Sequence, residues 1–382
     1  MSPVTKRWQV RTQRPVSYDV IKAPGLFQPD NRGLLTLGRH EGGRRFVVVD
    51  ANVARLHGDT IRAWFTRHEI DAHIEVIHGG EAHKTLDVYQ HLLCALDRFP
   101  IHRRDEPLIA IGGGVLTDVV GFVAASYRRG VPHIKVPTTL MGHIDAALGI
   151  KAGINFNGNK NRLGSFEPPL AVFLDSSFLA SLPRRHLLNG VCEIIKLAII
   201  GDAALFDRLE ADGADGIDTH FTNAPGAAIL DHAVGSMLAE LTPNLYEDEL
   251  ARKVDFGHTF SYGLETRHPH RLLHGEAVLL DILVSVLIAQ KRGLLSAHET
   301  TRIFTLIHLL GIEPDLEVLD GTVMWKSLLD RIEHRNGQQR VPMPAGLGQC
   351  TFINDITRQE LDAVLPALHN RMKENHESAL ER

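Results

Sequence analysis

Three short segments of the chain bring together one carboxylate and two imidazoles. They are Glu193-Ile-Ile-Lys196, Phe256-Gly-His258-Thr-Phe and His274-Gly-Glu-Ala-Val, each at or near the start of a predicted helix. One carboxylate and two histidines are a common ligand set for a catalytic Zn²⁺, which keeps further positions open for a substrate oxygen. Each histidine could instead be a simple helix cap, but the combination with a buried glutamate favours a metal site.

Glu193 and Lys196 are three residues apart and therefore share one face of a helix. A surface ion pair is the usual explanation for this spacing. The neighbouring residues, however, leave little room for a solvated face, because they are Val191, Cys192, Ile194, Ile195 and Leu197. We therefore expect this pair to be buried.

Polar and glycine residues follow several predicted strands in the first half of the chain. Leu108-Ile-Ala-Ile-Gly112-Gly-Gly114 is an apolar strand that runs into a glycine turn and a helix start. Glycines let the backbone approach a pyrophosphate, and a helix N-terminus offers unpaired N–H groups. A structural turn would explain these glycines better if they stood alone, since the pattern is not GxGxxG. Side chains at neighbouring strand ends favour a dinucleotide site: Asp50, Glu81, Lys84, Thr138 and Thr139.

Cationic and amide side chains are grouped between residues 145 and 162. Asp145 and Lys151 flank a run of small residues, and Lys160-Asn161-Arg162 follows in a predicted glycine-containing loop. Such a group suits a phosphate or a polyhydroxylated anion. The alternative is a solvated basic loop.

The order of predicted elements indicates an α/β fold. Short β-branched runs at 46–50, 73–77, 108–111 and 133–137 alternate with helical patterns at 60–68, 86–99 and 117–127. This alternation predicts a Rossmann-like, largely parallel sheet with ligands at the carboxyl ends of its strands. Later segments are helical, at 190–200, 228–240, 258–266, 274–291 and 297–310. We predict an NAD-binding α/β domain over residues 1–177 and a mostly α-helical domain for metal and substrate over 178–382.

Composition narrows the class of protein. The formal net charge of −5 gives no sign of a nucleic-acid partner. The three cysteines are far apart and form no CxxC pair, which favours free thiols in a reducing compartment. Residues 1–18 are polar and basic, and no apolar run reaches the length of a membrane span. We therefore expect a cytoplasmic protein without a membrane partner.

Taken together, the motifs resemble those of the sugar phosphate cyclases of the dehydroquinate synthase superfamily over about residues 45–365. The matching segments are Gly80-Glu81-x-x-Lys84, Gly112-Gly-Gly-Val-x-x-Asp118, Tyr127-x-Arg129-Gly, Val136-Pro-Thr-Thr-Leu140, Asp145-x5-Lys151, Lys160-Asn161, Glu193-x-x-Lys196, Gly257-His258-Thr and His274-Gly-Glu-Ala. The resemblance implies a homodimer that binds NAD and a Zn²⁺ (or Co²⁺) held by Glu193, His258 and His274.

The resemblance also implies a role for further residues. NAD would be bound by Asp50, Asn52, Glu81, Lys84, Gly113, Gly114, Val115, Asp118, Thr138, Thr139, Asp145, Lys151 and Lys160. A sugar phosphate would contact Arg129, Lys151, Lys160, Asn161, Lys196, Arg252, Asp255, His270, His274 and Pro342. Catalysis would involve Asp145, Lys151, Lys196, Arg252, Asp255 and His258. Arg129 would reach the phosphate in the neighbouring subunit's site.

The chain departs from dehydroquinate synthase proper at several positions. Asp255 stands in place of an asparagine, Tyr262 replaces a histidine, and two expected lysines are missing near Met237 and Pro342. These departures resemble the heptulose 7-phosphate cyclases, above all the 2-epi-5-epi-valiolone synthases, although those relatives usually carry proline where Tyr262 stands. Desmethyl-4-deoxygadusol and 2-epi-valiolone synthases are close alternatives, and dehydroquinate synthase is a more distant one. Because two cationic partners for a substrate carboxylate are missing and Asp255 would repel one, we expect a sugar phosphate with a neutral hydroxymethyl end, sedoheptulose 7-phosphate.

The implied reaction is a transient oxidation by NAD, elimination of phosphate, return of the hydride and an intramolecular aldol closure to a cyclitol. A metal-dependent NAD alcohol dehydrogenase, such as a glycerol dehydrogenase, is the alternative enzyme. A catalytically inactive ligand-binding relative is the alternative from another class, but the three candidate metal ligands and the cationic residues are all present.

Overall fold

A parallel β-sheet forms the centre of the first half of the protein. The computed structural model describes residues 6–37 and 43–380, with side chains as far as residue 373. Its central strands are β1 (Asp19–Lys22), β2 (Arg45–Asp50), β3 (Ala72–Ile77), β4 (Leu108–Gly112), β5 (His133–Pro137) and β8 (Ala171–Leu174). Over the described residues they form one sheet in the order β1-β8-β5-β4-β2-β3, in which all neighbours are parallel.

Helices cover both faces of this sheet, so β2, β4 and β5 are buried along their whole length. One face packs against α1 (Ala51–Arg67), and the other packs against α2 (Leu86–Arg98) and α3 (Gly114–Ser126). The chain leaves β2 toward β3 on one side and returns to β4 on the other. Ligands of such sheets bind at the carboxyl ends of strands where the order reverses, here β2 and β4.

A β-hairpin extends from the first half of the chain. It consists of β6 (Lys151–Phe156) and β7 (Asn159–Phe166), which pair in antiparallel fashion. The expectation of a loop for Lys160-Asn161-Arg162 is therefore wrong, because these residues lie on β7. Asn157 and Gly158 both have positive φ angles, as a two-residue hairpin turn requires.

Helices dominate the second half. They are α4 (Arg184–Gly201), α5 (Ala203–Asp218), α6 (Ala224–Leu241), α7 (Ser261–Arg267), α8 (His274–Lys291), α9 (Ala297–Leu309), α10 (Gly321–His334) and α11 (Arg358–Leu380). A small antiparallel pair joins β9 (Val341–Pro344) to β10 (Cys350–Ile353). Helix α8 is buried over nearly all of its length and lies at the centre of the largest apolar cluster. That cluster includes Leu140 and Ile144, so the two halves of the chain pack against each other.

The predicted fold class is confirmed: a parallel sheet with flanking helices precedes a helical half. Helix α1 begins at Ala51 rather than at residue 60, because Asp50 accepts hydrogen bonds from the backbone N–H groups of Asn52 and Val53. His258 precedes α7 instead of lying in a helix. The proposed domain boundary after residue 177 falls in a 3₁₀ segment, Ser176–Ser181, and stays a prediction. In the described part of the chain, no helix is both long and apolar enough to span a bilayer. Residues 1–5 of the polar and basic segment 1–18 lie outside the described ranges.

Candidate metal and cofactor site

The three predicted metal ligands lie together. Glu193 is in the middle of α4, His274 is the first residue of α8, and His258 lies in the turn before α7. One ligand atom from each lies within 4.8 Å of the others. Glu193 is fully buried, whereas the two histidines are partly accessible, so the cluster can be reached from the histidine side.

Both imidazole rings direct their Nε2 atom toward the centre of the cluster formed by Glu193, His258 and His274. The Nδ1 of His258 lies 3.1 Å from the Phe256 carbonyl, and the Nδ1 of His274 lies 3.3 Å from Oε2 of Glu265. Both partners are acceptors, so each Nδ1 donates a hydrogen bond, and in the neutral ring each Nε2 carries a lone pair. The two Nε2 atoms are 3.3 Å apart. Two converging lone pairs repel each other unless a proton or a metal cation lies between them, and a metal site supplies the cation.

The carboxylates on the His274 side of the cluster favour positive charge there. Neither carboxylate oxygen of Glu193 has a hydrogen-bond partner among the described residues, although the Lys196 ammonium lies beside one of them. Burial alone would lower the pKa of His274, but the carboxylates of Glu265 and Glu193 outweigh burial and raise it. The pKa of His258 is lowered by burial and by the nearby charges of Lys196 and His274. A divalent cation would satisfy the Glu193 oxygens and both ring nitrogens.

Close backbone packing sets the position of His274. A Cβ on the following residue, Gly275, would lie 2.0 Å from the Asn189 carbonyl oxygen of α4. The Asn189 side chain also accepts a hydrogen bond of 2.7 Å from the Gly275 N–H. The start of α8 is thereby held against the helix that carries Glu193. The fully buried Asp281 similarly fixes the turn after His258, because it accepts hydrogen bonds from the Phe260 and Ser261 N–H groups.

Two sets of ionic contacts involve residues of the first half of the protein, and one of them reaches the cluster through Glu265. In one, the buried Lys84 ammonium donates to Asp118 at 2.6 Å and to the Asn161 side chain at 2.5 Å. Burial lowers the pKa of Lys84, but the surrounding carboxylates, Asp118 foremost, outweigh it and raise that pKa. In the other, Lys160 pairs with Glu265 and lies 3.9 Å from Glu81. The hairpin thus brings its cation and amide groups to the edge of the metal cluster.

A separate network surrounds Asp255. Lys151 contacts Glu247 at 3.1 Å, Glu247 pairs with Arg252, and Arg252 pairs with Asp255. Asp255 also contacts Arg331 at 3.3 Å and Arg335 at 2.7 Å. Burial alone would raise the pKa of Asp255, but the three guanidinium groups outweigh it and hold that pKa well below its usual range.

These contacts correct one expectation. Three cations compensate the Asp255 carboxylate, so it does not act as an uncompensated anion that repels a substrate carboxylate. The part of the charge argument that rests on Asp255 therefore fails, and the choice of a sugar without a carboxylate depends on other grounds, among them the two missing lysines.

The predicted dinucleotide residues meet at the carboxyl ends of β2, β4 and β5. A Cβ on Gly112 would lie 3.2 Å from that of Asp50, and a Cβ on Gly113 would lie 3.2 Å from Cγ2 of Thr139. The Thr138 N–H donates to the Gly112 carbonyl, and Gly113 caps α3 without a side chain. This leaves a backbone-lined cradle at the N-terminus of α3, which fits a pyrophosphate. Gly114 and Val115 begin that helix, and Asp145 lies on the π-helical segment Gly142–Ala146 beside it.

Four of the predicted site residues lie away from the metal cluster and the glycine cradle, or at the edge of these sites. His270 is exposed in the turn before α8, and Asn52 is exposed on the first turn of α1. Pro342 is buried in β9, which packs beside the Lys253–Asp255 turn. Arg129 is exposed beyond the C-terminal end of α3. The 13 residues of that helix span about 20 Å, so Arg129 is remote from the cradle in its own chain.

Sequence reasoning missed several residues that complete the site. Glu265 orients His274, Asn189 holds the start of α8, Glu247 links Lys151 to Arg252, and Arg331 and Arg335 surround Asp255. The only signal for the two arginines was their spacing of four residues, which places them on one helix face. Glu265 has no such signal, because its partners Lys160 and His274 lie 105 and 9 residues away and share no helix face or motif with it.

Comparison with known proteins defines the class. Residues 74–189 match the family described as 3-dehydroquinate synthase N-terminal, and residues 190–334 match 3-dehydroquinate synthase C-terminal. The chain therefore belongs to the 3-dehydroquinate synthase family and is an enzyme. The resemblance inferred from its motifs is confirmed.

Three individual proteins are similar to this chain over most of its length. The chain is 45% identical to a 2-epi-5-epi-valiolone synthase of Streptomyces albus, over 94% of this chain and 89% of that protein. It is 46% identical to one of Actinoplanes sp., over 95% and 93%. The structure of the 2-epi-5-epi-valiolone synthase of Streptomyces hygroscopicus subsp. jinggangensis, with NAD⁺ and Zn²⁺ bound, superimposes with a TM-score of 0.91 at 41% identity, covering 95% of this chain and 100% of that one.

Proposed function

We propose that the protein cyclises sedoheptulose 7-phosphate to 2-epi-5-epi-valiolone with release of phosphate. The observation that carries this proposal is the convergence of Glu193, His258 and His274 within 4.8 Å, beside the hairpin that presents Lys160 and Asn161. The high identity to 2-epi-5-epi-valiolone synthases supports the choice of sugar and product.

The chain offers a place for each group that such a reaction needs. Glu193, His258 and His274 would hold Zn²⁺, or Co²⁺, and the glycine cradle at α3 would hold NAD. When bound, the metal would lower the pKa of a substrate hydroxyl and NAD would store a hydride, so that oxidation and reduction cancel over one turnover.

The remaining residues bind and orient the sugar. Lys160 and Asn161 would bind its phosphate, because both lie on β7 at the edge of the metal cluster. Lys196 is buried between Glu193 and the charge of Asp145, and these carboxylates raise its pKa against the opposing effect of burial. It would therefore stay an ammonium and donate hydrogen bonds to substrate hydroxyls. Lys151 and Arg252, joined by Glu247, would line the opposite side.

A homodimer would complete the phosphate site. Arg129 lies at the far end of α3 from its own cradle, so its predicted contact with phosphate requires a second copy of the chain. We also propose that the protein is cytoplasmic. Free cysteines at positions 94, 192 and 350 support this location, since a reducing compartment keeps thiols unpaired.

The decisive experiment offers the purified protein two sugars in parallel. With NAD⁺ and Zn²⁺ present, we expect phosphate release from sedoheptulose 7-phosphate, none from 3-deoxy-arabino-heptulosonate 7-phosphate, and no accumulation of NADH. NMR of the product should show 2-epi-5-epi-valiolone. Turnover of the heptulosonate alone would contradict the proposal, and one NADH per turnover of an alcohol would indicate a dehydrogenase. If the product is 2-epi-valiolone or desmethyl-4-deoxygadusol, the proposed substrate is correct and the proposed product is wrong.

A further inference from the structure

Glu265 contacts two groups of different function at once. Its Oε2 lies 3.3 Å from Nδ1 of His274, and its Oε1 pairs with the ammonium of Lys160. Its side chain is only 12% exposed, so both contacts lie largely out of solvent. Burial alone would raise the pKa of Glu265, but His274 and Lys160 outweigh burial and lower it to about 2.

The Lys160 contact extends to the cofactor side of the site. Lys160 and Asn161 are neighbours on β7, and Asn161 accepts a hydrogen bond from Lys84, which also binds Asp118. One turn before Glu265, the Tyr262 hydroxyl lies 3.4 Å from the Lys160 backbone nitrogen. Two side chains of helix α7, Tyr262 and Glu265, thus contact the hairpin. Glu265 also contacts His274, the first residue of α8.

We propose that Glu265 is a positioning residue that serves the metal and the phosphate together. It holds the Nδ1–H of His274, which directs the Nε2 lone pair toward Glu193 and His258. It also fixes the Lys160 ammonium beside that cluster. This inference rests on the proposed function for the identity of the two ligands.

If Glu265 formed only a structural ion pair, its replacement would have a different effect from the one expected for a positioning residue. Replacing a buried ion pair changes the stability of the fold but does not select one tautomer of a neighbouring imidazole. Partners of metal-bound histidines do select it, and their loss typically weakens metal binding roughly 10–100-fold. Metal affinity therefore separates a positioning role from a purely structural one.

The experiment compares Glu265→Ala, Glu265→Gln and a control, Glu276→Ala. Glu276 belongs to the first turn of α8 and pairs with Arg185, so its loss weakens the same helix without removing a contact to the His274 ring. Zinc affinity of the metal-free proteins is measured by competition with a chromophoric chelator, and the visible spectrum is recorded with Co²⁺.

We expect Glu265→Ala to lose roughly 10–100-fold in zinc affinity and to alter the Co²⁺ spectrum. Glu265→Gln should stay close to wild type, because its amide oxygen still accepts the Nδ1–H. At saturating zinc, KM for the sugar phosphate should rise in both variants, since Lys160 loses its anionic partner. Wild-type zinc affinity in Glu265→Ala, or an equal loss in Glu276→Ala, would overturn the metal role, and an unchanged KM would overturn the Lys160 role.

The zinc measurement uses no sugar, so it stands even if the proposed substrate is wrong. If the wild-type protein binds zinc but turns over neither sugar, the proposed function fails while the metal role of Glu265 is still tested. If the wild-type protein binds no zinc, the metal assignment itself fails.

Discussion

Replacing Asp255 by asparagine should destabilise the protein strongly. The Asp255 side chain is 9% exposed and lies against Arg252, Arg331 and Arg335. Asparagine has nearly the same shape but no charge, so Asp255→Asn leaves three guanidinium groups without their shared anion.

The size of the effect follows from the remaining partners. Removing one member of a buried ion pair typically costs about 3–5 kcal/mol. Here Arg252 keeps Glu247, and Arg335 keeps the carbonyls of Gln339 and Arg340. The asparagine oxygen can also still accept one hydrogen bond. We therefore expect the free energy of unfolding to fall by about 2–3 kcal/mol at neutral pH.

The pH dependence provides a second test. The pKa of Asp255 is lower in the folded protein than in the unfolded chain, where it is about 3.9. Its stabilisation is therefore complete above that value and is lost as the pH falls toward the folded pKa. Denaturant titrations of wild type and Asp255→Asn should differ by a constant amount between about pH 5 and 8, and the difference should shrink below about pH 4.

The matched control is Asp59→Asn, which removes a carboxylate from an exposed surface pair with Arg62. It should leave the denaturation midpoint unchanged, since exposed pairs contribute little. A difference below about 1 kcal/mol for Asp255→Asn, or one that persists at low pH, would refute the view that Asp255 is an anion held by three arginines.

Three further outcomes follow from the site. His274→Ala should remove bound zinc and activity, because it deletes one of three converging ligands; elemental analysis that still finds one equivalent would exclude this assignment. Gly113→Val should weaken NAD⁺ binding at least about tenfold in calorimetric titrations, because its side chain would fill the cradle beside Thr139, whereas Gly235→Ala, whose methyl meets open space, should bind normally. Arg129→Ala should raise KM for the sugar phosphate, and heterodimers with His274→Ala should recover part of the activity; verified heterodimers without recovery would place Arg129 in its own subunit's site.

Local patterns were sufficient to predict most of the buried framework. Strands β2, β4 and β5 are apolar runs, and α8 begins and ends where its apolar segment predicts. The hairpin was missed although Asn157-Gly158 is a strong turn signal, because β7 is mostly polar and has no buried residue, so it carries no apolar strand pattern. Strand β1 was also missed, since its four residues form a strand only through pairing with β8, about 150 residues later.

The candidate site shows the same division between local and distant information. Motifs of a few residues were enough to single out Glu193, His258 and His274, which the fold then brings together. The partners of Asp255 could not be inferred, because Arg331 and Arg335 follow it by 76 and 80 residues and no motif connects them. Charge at a single position was therefore a poor guide to substrate, since a carboxylate among arginines differs from one that faces a ligand.

Strand β1 has a practical consequence for handling the protein. It is short and parallel to β8, and its terminal residues Asp19 and Lys22 are exposed and charged. Such a strand protects the edge of a sheet against pairing with another molecule. A version of the protein shortened to begin after Lys22 would uncover the apolar β8 as an open edge. Aggregation during expression, rather than loss of chemistry, would then be the first defect, and purification tags are better placed well before residue 19.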